Sequence, residues 1–99
     1  MASLYFKFEK DIQFEDYGIY GKFYFVVPAG SYVIHDIGIE ERFRINDILN
    51  CASYIILENG GRWKRLHRDP RGEVQQNDNV KDEEIVWMKL SSKDTKSLI

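Results

Sequence analysis

Apolar and polar residues alternate along the first fifteen positions of the chain. One parity carries Leu4, Phe6, Phe8, Ile12 and Phe14, while the other carries Tyr5, Lys7, Glu9, Asp11, Gln13 and Glu15. A period of two residues is typical of a β-strand with one face buried and one face solvated. The pattern therefore predicts strand structure here, with a break near Lys10 and Asp11.

Two further apolar runs predict two more strands before residue 39. The run KFYFVV follows the turn-forming stretch EDYGIYG, and SYVIHDIGI follows PAGS. Pro28 sets the backbone angle that a turn requires, and Gly30 is free to adopt a positive φ. We therefore expect the PAGS turn to join the second and third strands as a hairpin.

The middle of the chain supports two interpretations. The residues at helical spacing are Ile45, Ile48, Leu49, Ala52, Ile55 and Ile56, which favours a helix that extends as far as residue 58. Against this, β-favouring residues flank Asn59-Gly60-Gly61, which is a strong hairpin signal. We expect a short helix over 45–51, capped by Asn46 or Asp47, followed by strands over 54–58 and 62–68. Both interpretations make the segment 62–68 a strand.

The C-terminal third alternates between polar and apolar segments. Residues 69–84 are polar and predict a loop that is either functional or flexible. The run IVWMKL at 85–90 predicts a last, central strand, and residues 91–99 predict a flexible tail. Together with the 99-residue length, these elements predict a single small α+β domain over 1–90, mostly antiparallel β-sheet with one short helix.

Composition and charge narrow the class of protein. A hydrophobic fraction of 43% and an aromatic fraction of 14% are sufficient for a folded core. Lys7, Glu9 and Lys10 interrupt the apolar start of the chain, and no run approaches the ~18 apolar residues of a membrane span. We therefore expect a cytoplasmic protein that does not contact a membrane, with a secreted protein without disulfides as the alternative. The single cysteine, Cys51, excludes an intrachain disulfide, and its apolar neighbours predict that it is buried and inert.

Basic residues are concentrated in one short segment. The chain has a net charge of −2, yet residues 62–71 contain five basic side chains against one acidic side chain. The candidate contact residues in this segment are Arg62, Trp63, Lys64, Arg65, His67, Arg68 and Arg71. If the segment is a strand, its odd-numbered and even-numbered residues occupy opposite faces.

This segment has three interpretations that the sequence leaves open. It can be a contact patch for a protein partner, since Trp and Arg often anchor interfaces. It can bind single-stranded nucleic acid, with guanidinium groups on phosphates and the Trp63 indole stacked on a base. Alternatively, Trp63 faces the core and the cations form a network of surface ion pairs.

Catalytic and metal-binding chemistry has little support in the sequence. His35 and Asp36 form a His-Asp pair, but no histidine precedes them, and His67 is the only other histidine. The acidic cluster of Asp78 and residues 82–84 lacks the ligand spacing of a calcium loop. We therefore expect no catalytic residue, no metal site and no cofactor, although a small hydrolase built on His35, Asp36 and His67 is a third hypothesis.

The chain resembles small proteins of hyperthermophilic archaeal filamentous and rod-shaped viruses. The resemblance rests on size, the single cysteine, the Ile-, Tyr- and charge-rich composition, and the segment ILENGGRWKRLHRD. Such a composition suits a thermostable protein, and it also suits codon usage in an A/T-rich genome. The resemblance implies a role inside an infected host cell, where some proteins of this kind bind host complexes, and it implies no catalytic residue.

The leading functional hypothesis is a non-enzymatic viral interaction protein that binds a host or viral macromolecule, most simply an unknown protein partner. The alternative is a single-stranded nucleic-acid-binding protein that uses the strand 62–68. An unpaired edge strand would also allow a homodimer.

Overall fold

The computed structural model describes residues 2–36 and 42–95. Within them the chain forms β1 (Ala2–Phe8), β2 (Ile12–Gly18), β3 (Gly21–Val27), β4 (Gly30–Ile34), α1 (Arg42–Cys51), β5 (Tyr54–Asn59), β6 (Arg62–Arg68), β7 (Val74–Asn77), α2 (Asp82–Ser91) and β8 (Lys93–Asp94). The expected small α+β domain, mostly β-sheet, is confirmed, but these residues contain two helices where one was expected.

Six of these strands form one sheet in the order β7-β6-β5-β1-β4-β8. Every neighbouring pair is antiparallel except β4 and β8, which are parallel. β1 lies inside the sheet because residues of both parities are apolar: Leu4 and Phe6 are buried on one face, and Tyr5 on the other. An interior strand covered on both sides requires apolar residues at successive positions.

The two faces of the sheet carry separate cores. On the first face, Leu4, Phe6 and Phe8 pack with Ile48 of α1 and Val27 of β3. We call this side the α1 face.

The opposite side, which we call the α2 face, packs against the second helix. Tyr5, Val33 and Ile56 from three neighbouring strands contact Met88, which is fully buried. α2 begins with three acidic residues at 82–84, a distribution that interacts favourably with the positive end of the helix dipole. The sheet is therefore covered by helices on both sides.

The expected break near Lys10 and Asp11 is confirmed, but the expected hairpin at PAGS is wrong. β3 pairs with β2, whereas β4 pairs with β1, so the turn at 28–30 carries the chain from one sheet into the other. The hairpin is instead formed by β2 and β3, a separate two-stranded sheet. The Ala29 backbone N–H donates to Asp11 Oδ1 at 2.9 Å and fastens the base of this hairpin. The later part of the predicted third strand, at 37–39, lies outside the described residues.

The middle of the chain follows the shorter-helix interpretation. α1 ends at Cys51, and β5 occupies the positions that the long-helix alternative assigned to a helix. Asn46 and Asp47 lie inside α1 and not at its start, so their expected capping role is wrong. Gly60 and Gly61 adopt φ values of 61° and 81°, as a two-residue hairpin turn with left-handed central residues requires.

The strand predicted for IVWMKL is wrong, because these residues lie in α2. The span 69–84, expected to be a loop, contains β7 and the start of α2. In the expected tail, β8 pairs with β4 over two residues, and residues 96–99 lie outside the described part of the chain. Neither helix of the described residues has the length and apolar character that crossing a bilayer requires.

Candidate functional site

The basic segment coincides with β6, and the structure divides its residues between the two faces of the sheet. Arg62, Lys64 and Arg68 lie on the α1 face, where Leu66 packs against the core. Trp63, Arg65 and His67 lie on the α2 face. The division by parity that the sequence predicted is therefore observed, and the candidate residues do not form one continuous patch.

Arg65 is held by contacts within the protein. Its Nη2 atom donates to Glu84 Oε1 at 2.8 Å and Oε2 at 2.6 Å, and to the Asn79 carbonyl at 3.2 Å. The guanidinium carbon also lies 5.1 Å from the centre of the Tyr54 ring. These contacts join β6 to the first turn of α2, so Arg65 is one of the ion-pair residues that the third interpretation anticipated.

The same cluster perturbs two titratable groups. Burial, together with the hydrogen bond that its hydroxyl donates to Glu84, raises the pKa of Tyr54 to about 12. This hydrogen bond is also the main cause of a lowered pKa at Glu84, and Arg65 adds to the lowering. The cluster is thus arranged around a neutral phenol, an ionised carboxylate and a cation.

Trp63 and Arg68 are also engaged with neighbouring elements. The Trp63 ring packs against Tyr5, with ring centres 5.5 Å apart, and the Lys89 ammonium lies 5.3 Å from its centre. Arg68 donates to the Gly72 carbonyl at 2.8 Å and to Asn46 Oδ1 at 3.3 Å. These contacts place Trp63 at the margin of the α2-face core, and Arg68 ties the β6–β7 turn to α1.

The remaining candidates are Arg62, Lys64, His67 and Arg71. Their side chains form no ion pair and no hydrogen bond with the residues that the structure describes. Arg62, His67 and Arg71 are exposed, and Lys64 is half-buried. Four of the seven predicted contact residues are therefore available to a ligand.

Arg62 and Lys64 share two surface depressions. The first has a volume of about 180 Å³ and is lined by Leu57, Asn59, Arg62, Lys64 and Gln76. The second, of about 340 Å³, is lined by the same two cations together with Trp63 and Asp78.

A second exposed surface is the β2–β3 hairpin. Ile19 and Tyr20 at its tip are essentially fully exposed, at 98% and 103%, and Tyr17 is 75% exposed. Along β3, Phe23 and Tyr24 are 47% and 55% exposed. Single exposed apolar residues are common on protein surfaces, but a group of exposed aromatic side chains on one hairpin is typical of an interaction site.

The hairpin is anchored to the core by a row of phenylalanine rings. Phe8 lies 5.9 Å from Phe14, which stacks on Phe25 at 5.6 Å, and Phe25 lies 6.3 Å from Phe23. The row therefore runs from a buried residue to a half-exposed one, and it links the outer part of the hairpin to the core.

The opposite face of the hairpin is more polar. Lys22 forms an ion pair with Glu15 at 3.1 Å, and its ammonium lies 5.7 Å from the centre of the Tyr24 ring. A sequence signal for this exposure existed: the run KFYFVV is apolar on both parities, and a two-stranded sheet can bury only one of them.

The residues of the hydrolase hypothesis are not brought together. His35 Nδ1 lies 3.1 Å from Ser3 Oγ at one end of the sheet. His67 lies three strands away and pairs with Gln75 toward the other end, which corresponds to a separation of about 20 Å by strand geometry. Across the described residues, no group of three or more His, Cys, Asp or Glu side chains converges on a common point.

The expectation of a buried Cys51 is wrong. Cys51 is the last residue of α1 and is exposed. The apolar spacing from which its burial was inferred ends with the helix one residue before Ala52.

No known family model, no curated protein and no solved structure matches this chain. The function must therefore be inferred from the two surfaces described above.

Proposed function

We propose that this chain is a non-enzymatic interaction protein whose β2–β3 hairpin inserts into an apolar cleft of a different protein. The observation that carries this proposal is the exposure of aromatic side chains along the outer half of the hairpin. Such side chains are enriched in the centres of protein interfaces.

The exposed area is close to what an interface requires. Five aromatic residues of the hairpin are 36–103% exposed, and with ~200 Å² for each whole side chain they present about 600 Å². One partner of a standard protein–protein interface contributes about 800 Å². The exposed residues Ile19 and Val26 extend the aromatic surface toward that value.

The charges of the hairpin favour a protein over nucleic acid. The hairpin carries Glu15 and Asp16 against the single cation Lys22, which gives a net charge of −1. A negative element repels a phosphate backbone at long range. Many aromatic and few charged side chains are instead typical of the desolvated centre of a protein interface.

A second copy of the chain is a poorer occupant than a different protein. The exposed tip, Ile19 and Tyr20, requires an apolar depression on its partner. The two depressions beside β6 are lined largely by charged and amide side chains, with Arg62 and Lys64 in both. Pairing of edge strands would also leave the tip in water. The resemblance to archaeal viral proteins makes host proteins the first candidates for the partner.

The test uses the double variant Ile19→Ser/Tyr20→Ser. Both side chains are exposed, so we expect the free energy of unfolding to change by no more than ~0.5 kcal/mol. The matched control is Val86→Ser/Leu90→Ser, which removes two exposed apolar side chains from α2. A photo-crosslinking residue at position 24 identifies the partner, and calorimetry with the purified partner measures affinity.

We expect the hairpin variant to lose at least tenfold in affinity, because truncation of interface anchors typically costs ~2 kcal/mol or more. The control variant should bind as the wild type does. Equal affinity of both variants would contradict the proposal. Sedimentation velocity should show a monomer, and self-association abolished by the hairpin substitutions would reassign the hairpin to a homodimer.

A further inference from the structure

Arg62 and Lys64 have no partner among the described residues, yet both line the same depression on the α1 face. We propose that this depression is a binding site for a phosphate group carried by a nucleotide or by single-stranded nucleic acid. The proposal concerns a different surface from the hairpin and is independent of the protein partner.

The convergence of the two cations follows from the local fold. Gly60 and Gly61 form the turn that sets Asn59 opposite Arg62. The two-residue period of β6 then places Lys64 on the same face as Arg62, opposite Leu57. β-pairing therefore brings a guanidinium, an ammonium and an amide around an apolar floor.

The site is also open at its outer edge. β7 pairs with β6 only from Arg65 onward, so residues 62–64 have β5 on one side and, within the described part of the chain, no strand on the other. Gln76, near the end of β7, contributes a second amide to the rim of the depression. A ligand can approach from this edge without displacing an element of the sheet.

The lining favours an anion. Arg offers five N–H donors and Lys offers three, and neither has an acceptor. Asn59 and Gln76 add amide donors, while the depression has no acidic residue in its lining. Asp78 lines the neighbouring depression instead. Charge-assisted hydrogen bonds to a phosphate oxygen are about twice as strong as neutral ones.

The depression is large enough for one chemical group of a ligand and too small for a whole ligand. A volume of 180 Å³ is that of about six liquid water molecules and is below the ~300 Å³ at which ligand pockets begin. It therefore accommodates a phosphate and part of the attached sugar over Leu57. The neighbouring 340 Å³ depression shares both cations and leaves room for the next part of a longer ligand.

This site differs from the stacking mode that the sequence suggested. Trp63 projects to the α2 face, and its ring already packs against Tyr5 and lies near Lys89. These two contacts restrict the access of a base to the faces of the indole. Recognition at Arg62 and Lys64 is accordingly expected to depend on phosphate and not on base stacking.

The experiment follows the fluorescence of Trp63, which lines the neighbouring depression, in a background that carries Trp87→Phe. The three probes are inorganic phosphate, adenosine monophosphate and a single-stranded oligothymidylate. Each is titrated at two salt concentrations into the wild-type surface, Arg62→Gln, Lys64→Gln and the control Arg71→Gln. Arg71 is an exposed cation outside both depressions.

We expect saturable binding that weakens about tenfold with either pocket substitution and is unchanged in the Arg71 control. For the oligonucleotide, two phosphate contacts correspond to a slope of log affinity against log salt of about −1.4, and each pocket substitution should reduce it by ~0.7. Tighter binding of the oligonucleotide than of the monophosphate identifies nucleic acid as the source, and the reverse identifies a nucleotide. Absence of saturable binding, or equal losses in the Arg71 control, would overturn the proposal.

Discussion

Replacement of Arg65 by methionine removes the guanidinium that joins β6 to α2 while it keeps an aliphatic stem of similar length. The substitution separates two interpretations of the basic segment. If Arg65 is a free contact residue, its loss leaves the fold unaffected. If it is structural, as its hydrogen bonds to Glu84 at 2.6 and 2.8 Å indicate, the protein is destabilised.

The expected loss is about 2 kcal/mol. Hydrogen bonds to charged groups contribute about 1.5–3 kcal/mol, and a cation over an aromatic ring adds about 0.5–1 kcal/mol. The side chains of Arg65 and Glu84 are still 33% and 27% exposed, so solvent screening reduces the ionic part. For a domain of this size, 2 kcal/mol corresponds to a fall in Tm of about 8–16 °C.

The assay is equilibrium unfolding in urea, followed by circular dichroism. The matched control is Arg62→Met, three residues earlier on the same strand and on the opposite face, where the side chain has no partner among the described residues. We expect this control to stay within about 0.5 kcal/mol of the wild type. A double-mutant cycle with Glu84→Gln should give a coupling energy of about 1 kcal/mol, because contacting residues are not additive.

The structural role of Arg65 would be refuted if Arg65→Met and Arg62→Met had the same free energy of unfolding within 0.5 kcal/mol. A zero coupling energy with Glu84 would have the same meaning. Under either result Arg65 would again be a candidate contact residue.

Three further outcomes follow from the same cluster and from α2. Because Glu84 has a lowered pKa in the fold, its contribution to the free energy of unfolding is complete above its ordinary pKa of 4.5 and is lost as pH falls through the folded value. Glu84→Gln should therefore make the free energy of unfolding depend less on pH in the acid range. Because the pKa of Tyr54 is raised to about 12, its contribution to the free energy of unfolding is complete below the ordinary value of 10.0 and is lost as pH rises toward 12. In urea titrations, Tyr54→Phe should therefore reduce the loss of stability at alkaline pH. Met88→Ala should cost about 2–5 kcal/mol in the same assay, and Leu90→Ala no more than ~0.5 kcal/mol; equal costs would indicate that the two side chains share a face, as in a strand.

The sequence predicted β6 correctly because the residues directly before this strand determine where it begins. Asn59-Gly60-Gly61 permits a left-handed turn that few other residues allow, and the strand starts directly after it. The sequence also predicted which residues of β6 share a face, since a period of two residues requires no tertiary information. It did not predict which cations have partners, because Glu84 is 19 residues away from Arg65 along the chain.

The segment that forms α2 shows where local patterns are insufficient. IVWMKL is rich in residues that favour strands, and its apolar side chains satisfy either structure. The helix places Met88 in the core against Tyr5 and Ile56, while Leu90 points to solvent. The acidic residues at 82–84 are typical of the start of a helix. This signal was missed because residues 69–84 were interpreted as one polar loop.

The two halves of β6 differ because β7 covers only one of them. β6 pairs with β5 from Arg62 to Arg65 and with β7 from Arg65 to Arg68. In the part beside β7, Arg65 and Arg68 reach α2 and α1 respectively. These contacts hold the strand from both faces of the sheet. Arg62 and Lys64, in the half that β7 does not cover, are consequently presented on a rigid support, and their side chains have no ion-pair partner among the described residues. Binding then costs little backbone ordering, since only the two side chains lose conformational freedom. An acidic chain can in this way concentrate positive charge at one short edge without making its whole surface attractive to phosphate.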